Sequence, residues 1–297
     1  FVAPNIRLKL DNLRIRENID NIDNIENTVN IDNTKTTIHR PKVAILREVG
    51  SNGHREMISA FYQSGFEVSE ITVQDLIDGS ENLENYRGLV LVGGFSYGDV
   101  PAAGIGWATV LTQNYTVKKQ LDRFKQRKNT FSLGICNGCQ VMSHIGWVEG
   151  DFSLQTNESG RFESRWGMVK IPKNNSIFLS KLEGCILGIW IAHGEGRFVF
   201  ENNSLNNKYI CCQYVNINGN PTLHYPENPN GSIDGIAGLT SKDGRHLVMM
   251  PHPERSFLDW HMPYQDTEYI KEKKIKKWDY TPWFVMFKNA YEWCCSN

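Results

Sequence analysis

The stretch Phe131-Ser132-Leu133-Gly134-Ile135-Cys136-Asn137-Gly138-Cys139-Gln140 decides the fold. Five largely apolar residues form a short buried-strand pattern that runs straight into a cysteine. Gly134 and Gly138 stand two before and two after it, which gives Gly-Ile-Cys-Asn-Gly the form of a nucleophile elbow with Cys in place of Ser. Small residues are needed there because a tight strand-to-helix turn leaves no room for side chains at either position. Such a turn lifts the Cys136 side chain into a cleft at the N-terminus of the next helix. Free N–H groups and the helix dipole favour a thiolate at that point. A lone G-x-C-x-G is short, and a buried inert cysteine in a Gly-containing loop remains an alternative. Cys136 and Cys139 also make a C-x-x-C, readable as a redox pair or half a zinc site. No second C-x-x-C or nearby Cys/His pair completes a metal site. Several strands precede the motif, so Cys139 reads best as a small apolar residue on the elbow helix.

Upstream, Val43-Ala44-Ile45-Leu46 is a buried-strand pattern, followed by the turn Gly50-Ser51-Asn52-Gly53. Ser51 or Asn52 is the expected cap of a helix carrying Met57, Ile58 and Phe61, which Gly65 stops. Phe66 to Thr72 and Leu89 to Val92 read as further strands, the latter ending at Gly93-Gly94; Val117 to Gln126 reads as a helix. Strands alternating with helices imply a mostly parallel central sheet flanked by helices, an α/β fold. Ligands of such sheets bind beyond the carboxyl ends of the strands, where Cys136 and Gly93-Gly94 both fall. Glycines at that point let a backbone N–H approach a substrate oxygen closely, as an oxyanion hole requires. They also suit a simple turn.

Downstream of Glu149 the segments shorten. Arg161–Ile171, Ile186–Ile191, Phe198–Phe200 and Ile210–Val215 are candidate strands, expected to form a smaller, partly antiparallel sheet. Gly219-Asn220-Pro221 and Asn228-Pro229-Asn230-Gly231 are turn signals. Leu247-Val248-Met249-Met250 is one more buried strand, delivering Pro251-His252-Pro253-Glu254. In an extended segment alternate side chains share a side, so Glu254 can hold one nitrogen of His252 while the other faces a thiol. A final helix carries Trp283, Met286, Phe287, Ala290 and Trp293. The basic run Lys271–Lys277 reads as a solvated loop or helix face.

Composition narrows the function classes. The 297 residues carry 32 Lys+Arg against 33 Asp+Glu, a net charge of −1, which argues against a generic polyanion binder. At 40% hydrophobic and 11% aromatic, the chain can bury a sizeable core. No apolar stretch approaches a membrane span. Seven cysteines, odd in number and including two adjacent pairs, suit a reducing compartment, and cytoplasmic localisation is the expectation. No G-x-x-x-x-G-K-[ST] loop and no early G-x-G-x-x-G occurs, so nucleotide sites of those types are not expected here. Before Pro41 the chain changes character: Asn18, Asn21, Asn24, Asn27, Asn30 and Asn33 recur every third residue, matching neither helix nor strand periodicity. That low-complexity segment lacks the apolar surface to offset ordering entropy.

Gly134-Ile135-Cys136-Asn137-Gly138-Cys139-Gln140 together with Pro251-His252-Pro253-Glu254-Arg255 resembles the class I, triad-type glutamine amidotransferases. Gly93-Gly94-Phe95-Ser96-Tyr97-Gly98-Asp99, Ala192-His193-Gly194-Glu195-Gly196-Arg197 and Asn228-Pro229-Asn230-Gly231-Ser232 sharpen it. Those stretches resemble the glutaminase domains of the large-form phosphoribosylformylglycinamidine synthases of purine biosynthesis. The resemblance implies Cys136 as nucleophile, His252 as proton shuttle and Glu254 as its orienter, with backbone N–H groups of Gly94 and Asn137 as oxyanion donors. It points to Gln140, Phe95, His193, Gly194 and Glu195 for holding glutamine, and to no metal or cofactor in this chain. ATP and Mg2+ would act in a synthetase region of the same polypeptide, which would receive the ammonia; neither nucleic acid nor membrane is an expected partner. Residues 1–12 then read as the end of that region, 13–40 as a linker and 41–297 as the amidotransferase domain, with Phe1 an excision point. Other cysteine hydrolases or peptidases of the same fold, a non-catalytic amidotransferase-like regulatory domain and a redox module are the competing readings.

Overall fold

A computed structural model describes residues 40–201, 205–263 and 280–297. The expected preceding-region remnant at 1–12, the Asn-rich linker (except Arg40) and the basic run Lys271–Lys277 lie outside the described residues. The strands and helices of the described chain, in order, are β1 (Lys42–Arg47), α1 (His54–Gln63), β2 (Glu67–Thr72), α2 (Val73–Asp78), β3 (Gly88–Leu91), α3 (Ile105–Gln113), α4 (Tyr115–Gln126), β4 (Phe131–Ile135) and α5 (Asn137–His144). There follow β5 (Phe152–Gln155), β6 (Glu163–Lys170), β7 (Ile186–His193), β8 (Arg197–Phe200), β9 (Ile210–Tyr214), β10 (Ile236–Thr240), β11 (His246–Met249) and α6 (Phe284–Ser296).

Nine strands form one sheet in the order β2-β1-β3-β4-β11-β10-β9-β6-β7. From β2 to β11 neighbours run parallel, with Val43 opposite Gly88, Gly88 opposite Phe131 and His246 opposite Ser132. β3 and β4 are buried along their whole length, as strands covered by helices on both faces must be. From β11 to β7 neighbours run antiparallel. The antiparallel strands therefore continue the main sheet instead of stacking as a second one. Only five residues, 241–245, join β10 to β11, and so short a connection permits only an antiparallel pair. The separate small sheet is the antiparallel ribbon of β5 and β8.

The core is aromatic at one end. Phe61 of α1, Phe66, Phe131 of β4 and Phe287 of α6 meet at centroid distances of 5.2–6.1 Å. Each such burial is worth about 1.5–3 kcal/mol relative to exposure. Trp283, Met286, Phe287 and Ala290 are buried, so the C-terminal helix docks by the face its spacing predicts, with Trp283 as its N-cap.

One local expectation fails. Neither Ser51 nor Asn52 caps α1; its N-cap is Gly53, with no side-chain cap hydrogen bond. Both side chains are engaged elsewhere: Ser51 Oγ accepts from the Glu48 N–H, and Asn52 Oδ1 accepts from Arg255. Four elements also had no expectation: α2, set by a Thr72–Asp75 capping box; α3, rich in β-branched residues; β5; and β10.

Candidate active site

Cys136 is the N-cap of α5 and sits at φ 53°, ψ −107°, a conformation that a side chain adopts only under strain. The surroundings enforce it. A Cβ on Gly138 would stand 1.9 Å from the Leu91 carbonyl oxygen, and one on Gly134 would stand 2.5 Å from Met142 Sδ. Helix α5 is thus pressed against β3 and β4 so closely that only glycine fits. The Cys136 N–H donates to the Met249 carbonyl at 2.9 Å, tying the elbow to the strand that delivers His252. The thiol, in a residue 6% exposed, points to the Ala192 carbonyl at 3.4 Å.

His252 and Glu254 come together at the end of β11, with Nδ1 2.6 Å from Glu254 Oε1. The expected reason, an extended segment, is only half right. His252 is extended at φ −106°, ψ 90°, but Glu254 lies in a 3-10 turn, 253–255, that brings its carboxylate back to the ring. The backbone is pinned as well: the His252 N–H donates to the Trp190 carbonyl at 2.9 Å, and Ser256 Oγ donates to the His252 carbonyl at 2.8 Å. Both residues are buried, and His252 Nε2 has no hydrogen-bond partner. Gly93 closes the group. A Cβ there would lie 2.9 Å from His252 Cε1 and 3.5 Å from Cys136 Cβ, so the sequence-distant cysteine, histidine and diglycine share one spot.

Burial alone would disfavour a charged His252 ring. The Glu254 carboxylate, and after it the charge on Cys136, outweigh it, raising the ring to about 10 from an ordinary 6.5. Because the folded value is the higher one, the pair's stabilisation is complete below about pH 6.5 and is lost as pH rises through about 10. The His252 ring signal in an NMR titration is therefore expected to stay in its protonated position at pH 8, and Cys136→Ala should lower its midpoint. A midpoint near 6.5 in both proteins would contradict this electrostatic account.

The remaining candidate residues form the neighbouring wall. Gly94 adopts φ +146°, open in practice to glycine alone, and a Cβ on it would collide with Gly50, Ser51 and Asn52. Asn137 Oδ1 accepts from the Ser96 N–H at 3.2 Å; its Nδ2 donates to Gln140 Oε1 at 3.0 Å, and Gln140 Nε2 donates to the Glu195 carbonyl at 2.7 Å. Glu195 Oε2 accepts from the Ala103 N–H at 3.2 Å. Phe95 is 43% exposed and packs at a tilt on exposed Phe162, which also borders Gly194. The His193 ring is buried, with Nδ1 3.1 Å from Asn157 Oδ1 and Nε2 3.5 Å from the Tyr214 hydroxyl. Burial, then the charge on His252, holds this ring down to about 3, so it is neutral across the physiological range.

Asn157 escaped the sequence reading. Its amide donates to the carbonyls of His193 and Arg161, and its Oδ1 accepts from the Gly196 N–H. Lying in the turn-rich run Thr156-Asn157-Glu158-Ser159-Gly160, it carries no signal in a single sequence beyond that of a loop. All seven cysteines are free thiols; that of Cys139 is fully buried, and burial pushes it well up, as suits a packing residue. Among the described residues no group of three or more His, Cys, Asp or Glu could hold a metal ion, and no helix is long and apolar enough to cross a membrane.

Residues 40–294 match the family described as the CobB/CobQ-like glutamine amidotransferase domain. This chain belongs to that family. The phosphoribosylformylglycinamidine synthase of Drosophila melanogaster is 45% identical over 270 residues, 86% of this chain and 20% of that protein. The probable phosphoribosylformylglycinamidine synthase, chloroplastic/mitochondrial, of Arabidopsis thaliana is 48% identical over 269 residues, 86% of this chain and 19% of that protein. The amidotransferase chain thus spans about a fifth of the length of these relatives. A solved structure of PurLQS from Thermotoga maritima superposes with a TM-score of 0.61 at 26% identity, covering 87% of this chain and 99% of that one.

Proposed function

We propose that this amidotransferase chain is the glutaminase part of a phosphoribosylformylglycinamidine synthase, releasing ammonia from glutamine for purine biosynthesis. The observation that carries the reading is the meeting of Cys136, held strained at a helix N-terminus, with the buried His252–Glu254 pair beside Gly93-Gly94.

Cys136 Sγ attacks the side-chain amide carbon of glutamine. Negative charge gathers on the amide oxygen, which the N–H groups of Gly94 and Asn137 receive; one such donor is typically worth roughly 3–4 kcal/mol in the transition state. His252, charged by its place beside Glu254 and the sulfur, is set to hand a proton to the departing nitrogen. The C–N bond breaks, ammonia leaves, and a glutamyl thioester remains on Cys136. The neutral imidazole then takes a proton from water, whose oxygen attacks the thioester. Glutamate leaves and the thiol is restored, so glutamine and water become glutamate and ammonia. Gln140, Phe95, Gly194 and Glu195 line the path proposed for the amino-acid end of glutamine. The His193 ring serves that wall from behind, fixing its backbone through Asn157 and Tyr214.

Free ammonia is mostly protonated at neutral pH and then useless as a nucleophile, so it passes to a synthetase region of the same polypeptide. That region would use ATP and Mg2+ to turn formylglycinamide ribonucleotide into its amidine. Seven free thiols suit a reducing compartment, read here as the cytoplasm. The deciding experiment is whether loss of the Cys136 thiol separates glutamine-dependent from ammonia-dependent synthesis.

A further inference from the structure

Arg255 follows the His252–Glu254 pair directly but takes no part in the chemistry above. Its side chain leaves the triad segment and crosses to a loop 203 positions away, where Nη2 donates to Asn52 Oδ1 at 2.8 Å. Its Nε lies 3.5 Å from Glu56 of α1 and 3.9 Å from Glu254 Oε1. The loop it grips, 49–53, is the one against which the diglycine is built. The N–H groups of Asn52 and Gly53 both donate to the Gly93 carbonyl, at 3.1 and 3.2 Å. The Phe95 N–H donates back to the Gly50 carbonyl at 2.9 Å, and the Tyr97 N–H to the Val49 carbonyl at 2.9 Å. A Cβ on Gly94 would meet the Gly50 carbonyl oxygen at 2.6 Å and Asn52 N at 2.9 Å, so the two strands of chain are in close contact. The left-handed backbone of Gly94 is thereby set by the loop and not by its own strand. Asn52 itself is exposed, and within the described contacts Arg255 is what ties its side chain to the rest of the fold.

We propose that Arg255 is a positioning residue: by holding Asn52 it fixes loop 49–53 against Gly93-Gly94, and so fixes the Gly94 N–H at which negative charge gathers. It couples the two halves of the site, the proton-moving pair and the oxyanion donor, through one side chain. The planar fork of arginine suits this reach, since it can keep an amide oxygen on one edge while its charge stays near two carboxylates. The proposal rests on the glutaminase reading and assigns a role which that reading leaves open.

Two reagents separate this role from a merely structural one. A glutamine-analogue chloromethyl ketone reacts by addition of the Cys136 sulfur to its ketone carbon, the C=O pair moving to an oxygen held by the oxyanion donors; sulfur then bonds to the neighbouring CH2 and displaces chloride, the bond to the ketone carbon breaks and the C=O re-forms, leaving a thioether. Iodoacetamide alkylates the same thiol by direct displacement of iodide and needs no such donor. In Arg255→Met, kcat for glutamine hydrolysis and the chloroketone rate should both fall about 10- to 100-fold, the scale of a donor displaced by a fraction of an ångström. KM should stay within about 3-fold, and iodoacetamide labelling of the Cys136 peptide within about 2-fold. Asn52→Ala should reproduce most of the loss, and the double variant should be no slower than the slower single one, because the two residues act as one device. Should Arg255→Met fail to fold, Asn52→Ala carries the test alone. Unchanged kcat in either variant, additive losses, or an equal slowing of both reagents would overturn the proposal. A chloroketone that leaves Cys136 of the unsubstituted chain untouched would instead remove the glutaminase reading, whatever Arg255 does.

Discussion

Cys136→Ala is expected to lower glutamine-dependent synthesis by the full-length enzyme roughly 10^4- to 10^6-fold, the scale seen when an enzyme loses its nucleophile. Synthesis from added ammonia should be unchanged. The split follows from where the residue sits. The thiol lies in the cleft between Gly93, His252 and the end of β7, and removing one sulfur atom leaves the backbone anchors of the elbow in place. The backbone hydrogen bonds that hold the elbow do not involve that sulfur, so a synthetase region fed with ammonia from solution would still receive its nucleophile. Parallel rate measurements with glutamine and with ammonium salts check it. Glutamine-dependent synthesis that survives the change would remove Cys136 from its role.

Gly138→Ala is expected to damage the molecule more than any other single methyl group at the site. The added Cβ would stand 1.9 Å from the Leu91 carbonyl oxygen, 2.5 Å from its carbon and 2.9 Å from its Cβ. Two of those three atoms are backbone and cannot rotate aside, so α5 and β3 must separate. Overpacking a tight core costs about 1–3 kcal/mol and occasionally more, and a backbone collision belongs at the upper end. For a domain of this size about 3 kcal/mol corresponds to a fall in Tm of roughly 6–12 °C. Activity should fall further than stability alone explains, because α5 carries Cys136 on its N-terminus and Asn137 in its first turn. Thermal unfolding and kcat measured on the same preparation test both statements. An unchanged Tm would mean that the elbow has slack absent from this structure.

The elbow was legible from sequence because its steric demand leaves a mark at fixed spacing: Gly134 and Gly138 meet Met142 and Leu91 as a tight turn requires. The parallel half of the sheet was legible for a similar reason, since β1, β3 and β4 are continuous apolar runs bounded by turn residues. The His252–Glu254 contact was anticipated with the wrong local geometry, because two residues apart an extended pair and a 3-10 turn leave the same sequence trace. Asn52 shows the limit most clearly. Its residue type and its place just before the helix suit a cap, yet its side chain is taken by Arg255, 203 residues away. Asn157 likewise looks like a loop residue until the fold brings His193 and Gly196 to it. Both are tertiary bonds, and single-sequence patterns record only what neighbours along the chain impose.

The central claim is that one cysteine of seven is the nucleophile for a glutamine side chain. The most direct measurement is mass spectrometry of the intact chain and its peptides after treatment with a glutamine-analogue electrophile. One adduct per chain, on the peptide carrying Cys136 and suppressed by excess glutamine, is the predicted result. Labelling spread over Cys185 and Cys295, or an adduct on Cys136 indifferent to glutamine, would contradict it.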